Sequence, residues 1–199
     1  MSHYFTNDKN LKENRKEISF RFFGVSYTLI TDAGVFSKNE LDYGTYLLLQ
    51  NVCSNNISGK VLDLGCGYGP VGIVIKSVFD DVEVTMLDIN ERAVNLALEN
   101  VNKYKMNNRV LCSNSYNQVQ NERFNHIVLN PPIRAGKKVI YAMFEDALRY
   151  LEDNGCLWIV MRKSHGAMSA IAKITEIFGN CETIGKEKGF FVLKAVKTH

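Results

Sequence analysis

The chain has 199 residues, 46% hydrophobic and 23% charged, which is the make-up of one ordinary soluble domain spanning 1–199. Twenty-four Lys and Arg against 21 Asp and Glu leave a formal net charge of +3, which excludes a polybasic nucleic-acid coat and confines any nucleic-acid contact to a local patch. Five scattered cysteines with no CxxC pair speak against a disulfide framework or a thiolate zinc site, and the absence of any long apolar run speaks against a signal peptide or membrane span and for the cytoplasm.

In chain order, Ile18-Ser19-Phe20-Arg21-Phe22 alternates, Gly24 intervenes, and Val25 to Ile30 is rich in β-branched and aromatic residues, a pattern that predicts an antiparallel hairpin. Tyr43 to Val52 reads as a short apolar helix, so residues 1–50 form a hairpin and helix extension packed on a core of 51–199. From Lys60 the apolar period switches between strand and helix. Val61 to Leu64 is a strand, and Val71 to Phe79 a helix. Val82 to Leu87 is a strand, and Asn90 is an N-cap for a helix carrying Ala93 to Val101. Arg109 to Cys112 and Phe124 to Leu129 are further buried strands. A helical stripe from Val139 through Leu151 ends near Gly155, and Cys156 to Met161 is a strand. Ala167 to Phe178 is a helix, and strands near Cys181 to Ile184 and Phe190 to Val196 close the chain. The alternation implies an α/β fold whose mostly parallel sheet is covered on both faces, with ligands at the carboxyl ends of its strands.

After the first core strand, Gly65-Cys66-Gly67-Tyr68-Gly69 opens a helix, a turn where backbone can approach a ligand and helix amides favour an anionic group. The spacing is GxGxG, and Pro70 stands where the dinucleotide fingerprint needs glycine, which disfavours a nicotinamide-dependent oxidoreductase. Asp88 ends the second core strand, where a carboxylate can accept from both hydroxyls of a ribose; together the loop and the acid specify an adenosine-type ligand. The segment Val61 to Gly69 with Asp88 resembles the first two motifs of class I S-adenosylmethionine-dependent methyltransferases. That resemblance implies a Rossmann-like fold with a seven-stranded sheet, with Gly65, Cys66, Gly67 and Gly69 around the methionine portion of the cofactor and Asp88, followed by Ile89, at the ribose. Asp63 either orients the loop or the cofactor or caps a backbone amide.

The strand Phe124 to Leu129 runs into Asn130-Pro131-Pro132-Ile133. Consecutive prolines fix φ near about −65° and remove two donors, so carbonyls around them face outward as acceptors. With the Asn130 amide oxygen they form a two-acceptor fork that matches an exocyclic NH2 and turns its lone pair toward an electrophile, without a metal or covalent intermediate. The tetrapeptide resembles the Asn/Asp-Pro-Pro-aromatic signature of methyltransferases acting on amino groups of adenine, guanine or glutamine. Ile133 replaces the aromatic here, which removes stacking on that residue and leaves an apolar wall. Ser113-Asn114-Ser115 stands where that family holds the adenine amine of the cofactor; Asn114 either does so or caps a turn.

His3-Tyr4-Phe5-Thr6, Thr31 to Lys38, Asp42-Tyr43-Gly44-Thr45 and Asn130 to Gly136 together resemble the small-domain family of small-subunit ribosomal RNA guanine-N2 methyltransferases. Two-domain members carry a further, degenerate methyltransferase-like domain, and this chain resembles their catalytic half. The resemblance implies small-subunit ribosomal RNA, naked or in the assembled subunit, as partner. It also implies that Gly34 to Ser37 and Asp42 to Thr45 border the cofactor and target pocket, with Thr45 at the cofactor. Phe36 is either a stacking surface for the target base or a core aromatic. Arg134, Lys137 and Lys138, with Arg162 and Lys163, either grip phosphates at the pocket mouth or belong to solvated loops. Lys9, Lys12, Arg15 and Lys16 are offset by acids and form no patch. His126 reads as a core histidine, His165 has a weak claim on substrate, and no hydrolase signature is present.

Overall fold

A computed structural model of the chain describes residues 12–198, so His3 to Thr6 and Lys9 lie outside the described residues. The predicted hairpin is β1 (Lys16–Phe22) and β2 (Val25–Thr31), a two-stranded antiparallel sheet of its own. Its turn residues Phe23 and Gly24 have φ of 45° and 81°, the paired positive values of a tight hairpin turn. α1 (Tyr43–Cys53) comes next. The core then alternates β3 (Lys60–Leu64), α2 (Pro70–Val78), β4 (Glu83–Asp88), α3 (Glu91–Lys103), β5 (Arg109–Cys112) and β6 (Phe124–Leu129). It finishes with α4 (Lys137–Tyr150), β7 (Leu151–Arg162), α5 (Ala167–Phe178), β8 (Glu182–Glu187) and β9 (Phe190–Val196).

The seven strands lie in the order β5-β4-β3-β6-β7-β9-β8, parallel from β5 to β7, with β9 antiparallel to both β7 and β8. This is the α/β sheet, mostly parallel and covered on both faces, that the alternation predicts. Strand period divides its side chains between two cores. Val61, Val128, Trp158 and Val160 pack toward α1, α2, α3 and the hairpin. Leu62, Ile127, Leu129 and Ile159 pack toward α4 and α5. The hairpin is tied down by Asn100 of α3, which is fully buried. Its amide accepts from Ile30 N at 2.8 Å and donates to the carbonyls of Ile30 and Tyr68, both at 2.9 Å, satisfying the edge of β2 and joining it to the glycine loop.

One boundary differs from the apolar spacing in the sequence. α4 stops at Tyr150, and β7 begins at Leu151 instead of Cys156. Leu151 is fully buried in the same core that the helical stripe fills, so its apolar signal suits either element. The register of β7 on β6 shifts between Phe124 and His126, and Asn154 has φ of 64°. Gly155 therefore belongs to a bulge: an added Cβ would lie 2.8 Å from the Glu152 carbonyl and 3.1 Å from that of Asn125.

Candidate active site

The parallel strands bring the residues after β3, β4, β5, β6 and β7 to one edge, and because β9 runs the other way its first residue, Phe190, arrives there as well. A cavity of about 550 Å³ opens at this edge, a size usual for a small-molecule site. The sheet order divides it. Ends of β3, β4 and β5 make one half, and ends of β6 and β7 with the start of β9 make the other.

In the first half, the glycine loop is tied to the end of β4. The amides of Gly65 and Cys66 donate to the Leu87 carbonyl at 2.8 and 2.9 Å, and that of Gly67 donates to Asp88 Oδ2 at 2.8 Å. Asp88 Oδ1 accepts from Asn90 N at 2.9 Å. Asn90 in turn caps α3 by accepting from Arg92 N and Ala93 N, as its sequence position predicts. A Cβ on Gly65 would meet nothing within 4 Å, whereas one on Gly69, at φ 97°, would meet Met86 Cε at 2.9 Å. Gly65 thus faces the opening, and Gly69 makes the close packing under it; Gly69 is not itself part of the cavity wall. Gly69 is also the N-cap of α2 and has no side chain to cap with. Asp63 supplies that cap from β3, accepting from Gly72 N at 2.9 Å, so of its two readings the amide cap is present. Burial pushes the Asp63 carboxyl up to about 7, opposed by the Gly72 hydrogen bond and aided by the nearby Asp88 charge.

Ile89, Asn114 and Ser115 also line this half. Asn114 is exposed to the cavity while its carbonyl closes a turn with Asn117 N, and Ser115 has a φ of 52°. Phe36 stands at the mouth and is 55% exposed, so it is not a core aromatic. It lies on the same side, since the neighbouring Gly34 carbonyl accepts from Asn90 Nδ2 at 3.3 Å.

In the second half, Asn130 comes directly after β6. Its Nδ2 donates to Thr45 Oγ1 at 2.9 Å and Asp42 Oδ2 at 3.3 Å. Asp42 is the N-cap of α1, accepting from Thr45 N at 2.8 Å and from Thr45 Oγ1 at 3.2 Å. Thr45, expected at the cofactor, therefore lines the cavity as the support of Asn130. With the amide nitrogen engaged, the orientation of the group directs its oxygen away from α1. Of the two proline carbonyls expected to be free acceptors, that of Pro132 is taken, accepting from Ala135 N at 2.9 Å, while that of Pro131 takes no backbone hydrogen bond among the described residues. Ile133 and Arg134 line the wall, Lys138 stands exposed on the first turn of α4 outside it, and Arg162 and His165 form the rim. His126, read as a core histidine, is half-buried: its Nδ1 accepts from Trp158 Nε1 at 3.3 Å. Burial and the Lys194 charge hold its pKa down at about 4.

Two contributors, Tyr68 and Phe190, carry no clear signal in the sequence, and for a third, Asp42, only its place at the pocket is legible and not its partner. Asp42 sits in a stretch already singled out, but its hold on Asn130 spans elements far apart in the chain. Tyr68 hides inside the glycine loop, and Phe190 lies beyond any motif. The hydroxyls of Tyr68 and Ser115, both on cavity-lining residues, are buried without a hydrogen-bond partner among the described residues. These orphaned groups, the open face over Gly65 and the buried acids fit a polar nucleoside-like ligand with a cationic end. Among the described residues no cluster of three His, Cys, Asp or Glu could hold a metal, and no helix is long and apolar enough to cross a membrane.

Residues 26–194 match the model of the methyltransferase small domain. The chain belongs to that family. As a class I S-adenosylmethionine-dependent methyltransferase it is 41% identical over 197 residues to YbxB, an uncharacterised Bacillus subtilis protein, covering 98% of both. It is 35% identical over 191 residues to ribosomal RNA small subunit methyltransferase C of Colwellia psychrerythraea, covering 94% of this chain and 52% of that one. Among solved structures, T. thermophilus 16S rRNA N2 G1207 methyltransferase (RsmC), in complex with AdoMet and guanosine, superposes with a TM-score of 0.83 at 26% identity. That match covers 92% of this methyltransferase and 50% of RsmC, so the chain spans about half the length of the ribosomal RNA methyltransferases it matches.

Proposed function

We propose that this methyltransferase transfers a methyl group to the exocyclic N2 amine of a guanine in small-subunit (16S) ribosomal RNA, as naked RNA or within the assembled subunit. The observation that carries the reading is the Asn130 amide, held through its nitrogen by Thr45 and Asp42 beside the Pro131 carbonyl. S-adenosylmethionine supplies the methyl group as a sulfonium electrophile. Asp88 would hold the ribose hydroxyls of the cofactor, and the backbone of Gly65, Cys66 and Gly67, with Asp63 bracing the helix behind the loop, would hold its methionine portion. Ile89, Asn114 and Ser115, on the same half of the cavity, would hold its base and amine.

Asn130 Oδ1 and the Pro131 carbonyl accept the two hydrogens of the acceptor amine. That turns the nitrogen lone pair toward the methyl group, and positioning of this kind supplies much of the rate in a direct displacement. Pro132 stiffens the loop through its bond to Ala135. Ile133 gives an apolar wall, while Arg134 and Lys138 meet phosphates without reading sequence. The names of the 35% identical relative and of the superposing RsmC support ribosomal RNA as the acceptor.

The test is incubation of labelled cofactor with small-subunit RNA and with intact subunits, then nuclease digestion and mass spectrometry. N2-methylguanine is expected. Asn130→Ala removes transfer while leaving cofactor affinity within about twofold. An active Asn130→Ala enzyme, or a methyl group found instead on adenine N6 or a protein glutamine, overturns the assignment.

A further inference from the structure

The aromatic that Ile133 lacks has a counterpart elsewhere in the cavity. Phe190 begins β9 at the same edge as Asn130 and lines the same cavity, next to the rim residue Arg162. Its ring is held on several sides. Tyr43 lies with its ring centroid 5.9 Å away at an interplanar angle of 52°. The ring edge packs on the α1 backbone at Gly44, where an added Cβ would lie 2.8 Å from Phe190 Cε1. The Arg162 guanidinium stands over the ring, 5.3 Å from its centroid. Phe190 remains partly exposed and Arg162 exposed, so the pair is open to a ligand.

Three aromatic rings line the cavity; Tyr68 is buried in the glycine loop, and the more open pair, Phe36 and Phe190, lie toward different halves of it. Gly34, two residues before Phe36, is hydrogen-bonded to Asn90, which brings this stretch toward the half made by β3, β4 and β5. Phe190 lies in the other half, where β6 delivers Asn130 and where α1 supplies Asp42 and Thr45 beside Gly44. A partly exposed aromatic with a guanidinium over it is suited to a planar, electron-rich ring, because bases stack both on aromatic faces and on Arg planes.

We propose that Phe190, with Arg162 over it, is the platform that receives the acceptor purine and so sets the preference of this enzyme for a planar base. The inference rests on the RNA acceptor proposed for the same site. The purine ring lies along Phe190 with its amine toward Asn130, and Arg162 follows the base or turns to its phosphate. A small amide acceptor gains little from this wall, which makes Phe190 a specificity residue as well as a binding one.

The experiment compares wild-type enzyme with Phe190→Leu, Phe190→Tyr and Arg162→Gln, using labelled S-adenosylmethionine with small-subunit RNA and with free guanosine as acceptors. Phe190→Leu is expected to raise the acceptor KM by between about 5-fold and 150-fold, the range for losing one base–aromatic stack. Calorimetric affinity for S-adenosylmethionine and Tm stay at wild-type values, and Phe190→Tyr restores acceptor KM because it keeps the π face. Arg162→Gln gives a smaller rise on both acceptors. Phe190→Leu with wild-type acceptor KM overturns the platform and leaves the RNA reading standing. A Phe190→Leu protein with lowered Tm and weakened cofactor binding also overturns it, by making the ring a structural support. Wild-type enzyme that methylates neither RNA nor guanosine overturns the RNA reading, and the platform falls with it.

Discussion

The Asn130 amide nitrogen lies 2.9 Å from the Thr45 hydroxyl, across 85 residues of chain. The contact makes the first turn of α1 part of the support of Asn130 at the cavity. Removing the hydroxyl in Thr45→Val frees the amide to rotate, and small misplacements of a positioning group cost rate steeply. A drop in kcat of about tenfold or more is expected, with cofactor affinity unchanged and Thr45→Ser near wild type. Single-turnover kinetics beside calorimetry check this.

The glycine loop tolerates little. Gly69→Ala combines a left-handed φ of 97° with a Cβ 2.9 Å from Met86 Cε. Strain and overpacking together predict a loss of about 2–4 kcal/mol, read from urea unfolding, and a loss of cofactor binding as the loop shifts.

A buried carboxyl and a half-buried imidazole tilt stability in opposite directions with pH. The folded chain holds the Asp63 proton up to about 7 against an ordinary 3.8, so this group favours folding at low pH and its contribution is lost as pH rises through 7. His126, neutral down to about 4 against an ordinary 6.5, contributes fully above 6.5 and loses its contribution as pH falls toward 4. Asp63→Asn can still accept from Gly72, so its Tm relative to wild type should climb between pH 4 and 7. His126→Gln should lose less stability than wild type between pH 6.5 and 4. Thermal unfolding across that range measures both.

Positive charge at the mouth is local. Arg134→Gln and Lys138→Gln are each expected to weaken RNA binding uniformly across sequences and to lower the salt slope by about one. Cofactor affinity stays constant. Filter binding at several salt concentrations reports the slope.

Much of this molecule is legible in its residues. Short apolar runs ending at Gly65, Asp88 and Asn130 mark the ligand edge, because a buried parallel strand leaves few positions for polar side chains except at its end. Local signals serve for Asn90, whose cap involves residues two and three places on. They fail where contacts are long-range. Nothing adjacent to Thr45 reveals that its hydroxyl faces Asn130, and nothing adjacent to Phe190 reveals that a reversed strand carries it to the cavity. Leu151 misleads for another reason: one core receives both the end of α4 and the start of β7, so apolar spacing alone cannot separate them.

The reversal of β9 has an evolutionary consequence. A parallel sheet can furnish its ligand edge only from the loops at the carboxyl ends of its strands, and here those loops already wall the half made by β3, β4 and β5 or carry Asn130. A terminal antiparallel hairpin adds a wall from outside that set. Its turn can change in length or sequence without disturbing the loops after β3, β4 and β5. With Phe190 as the proposed platform, the β8–β9 turn is the place where one methyl-transfer engine is refitted for different acceptors, and grafting that turn between relatives is expected to carry acceptor choice with it.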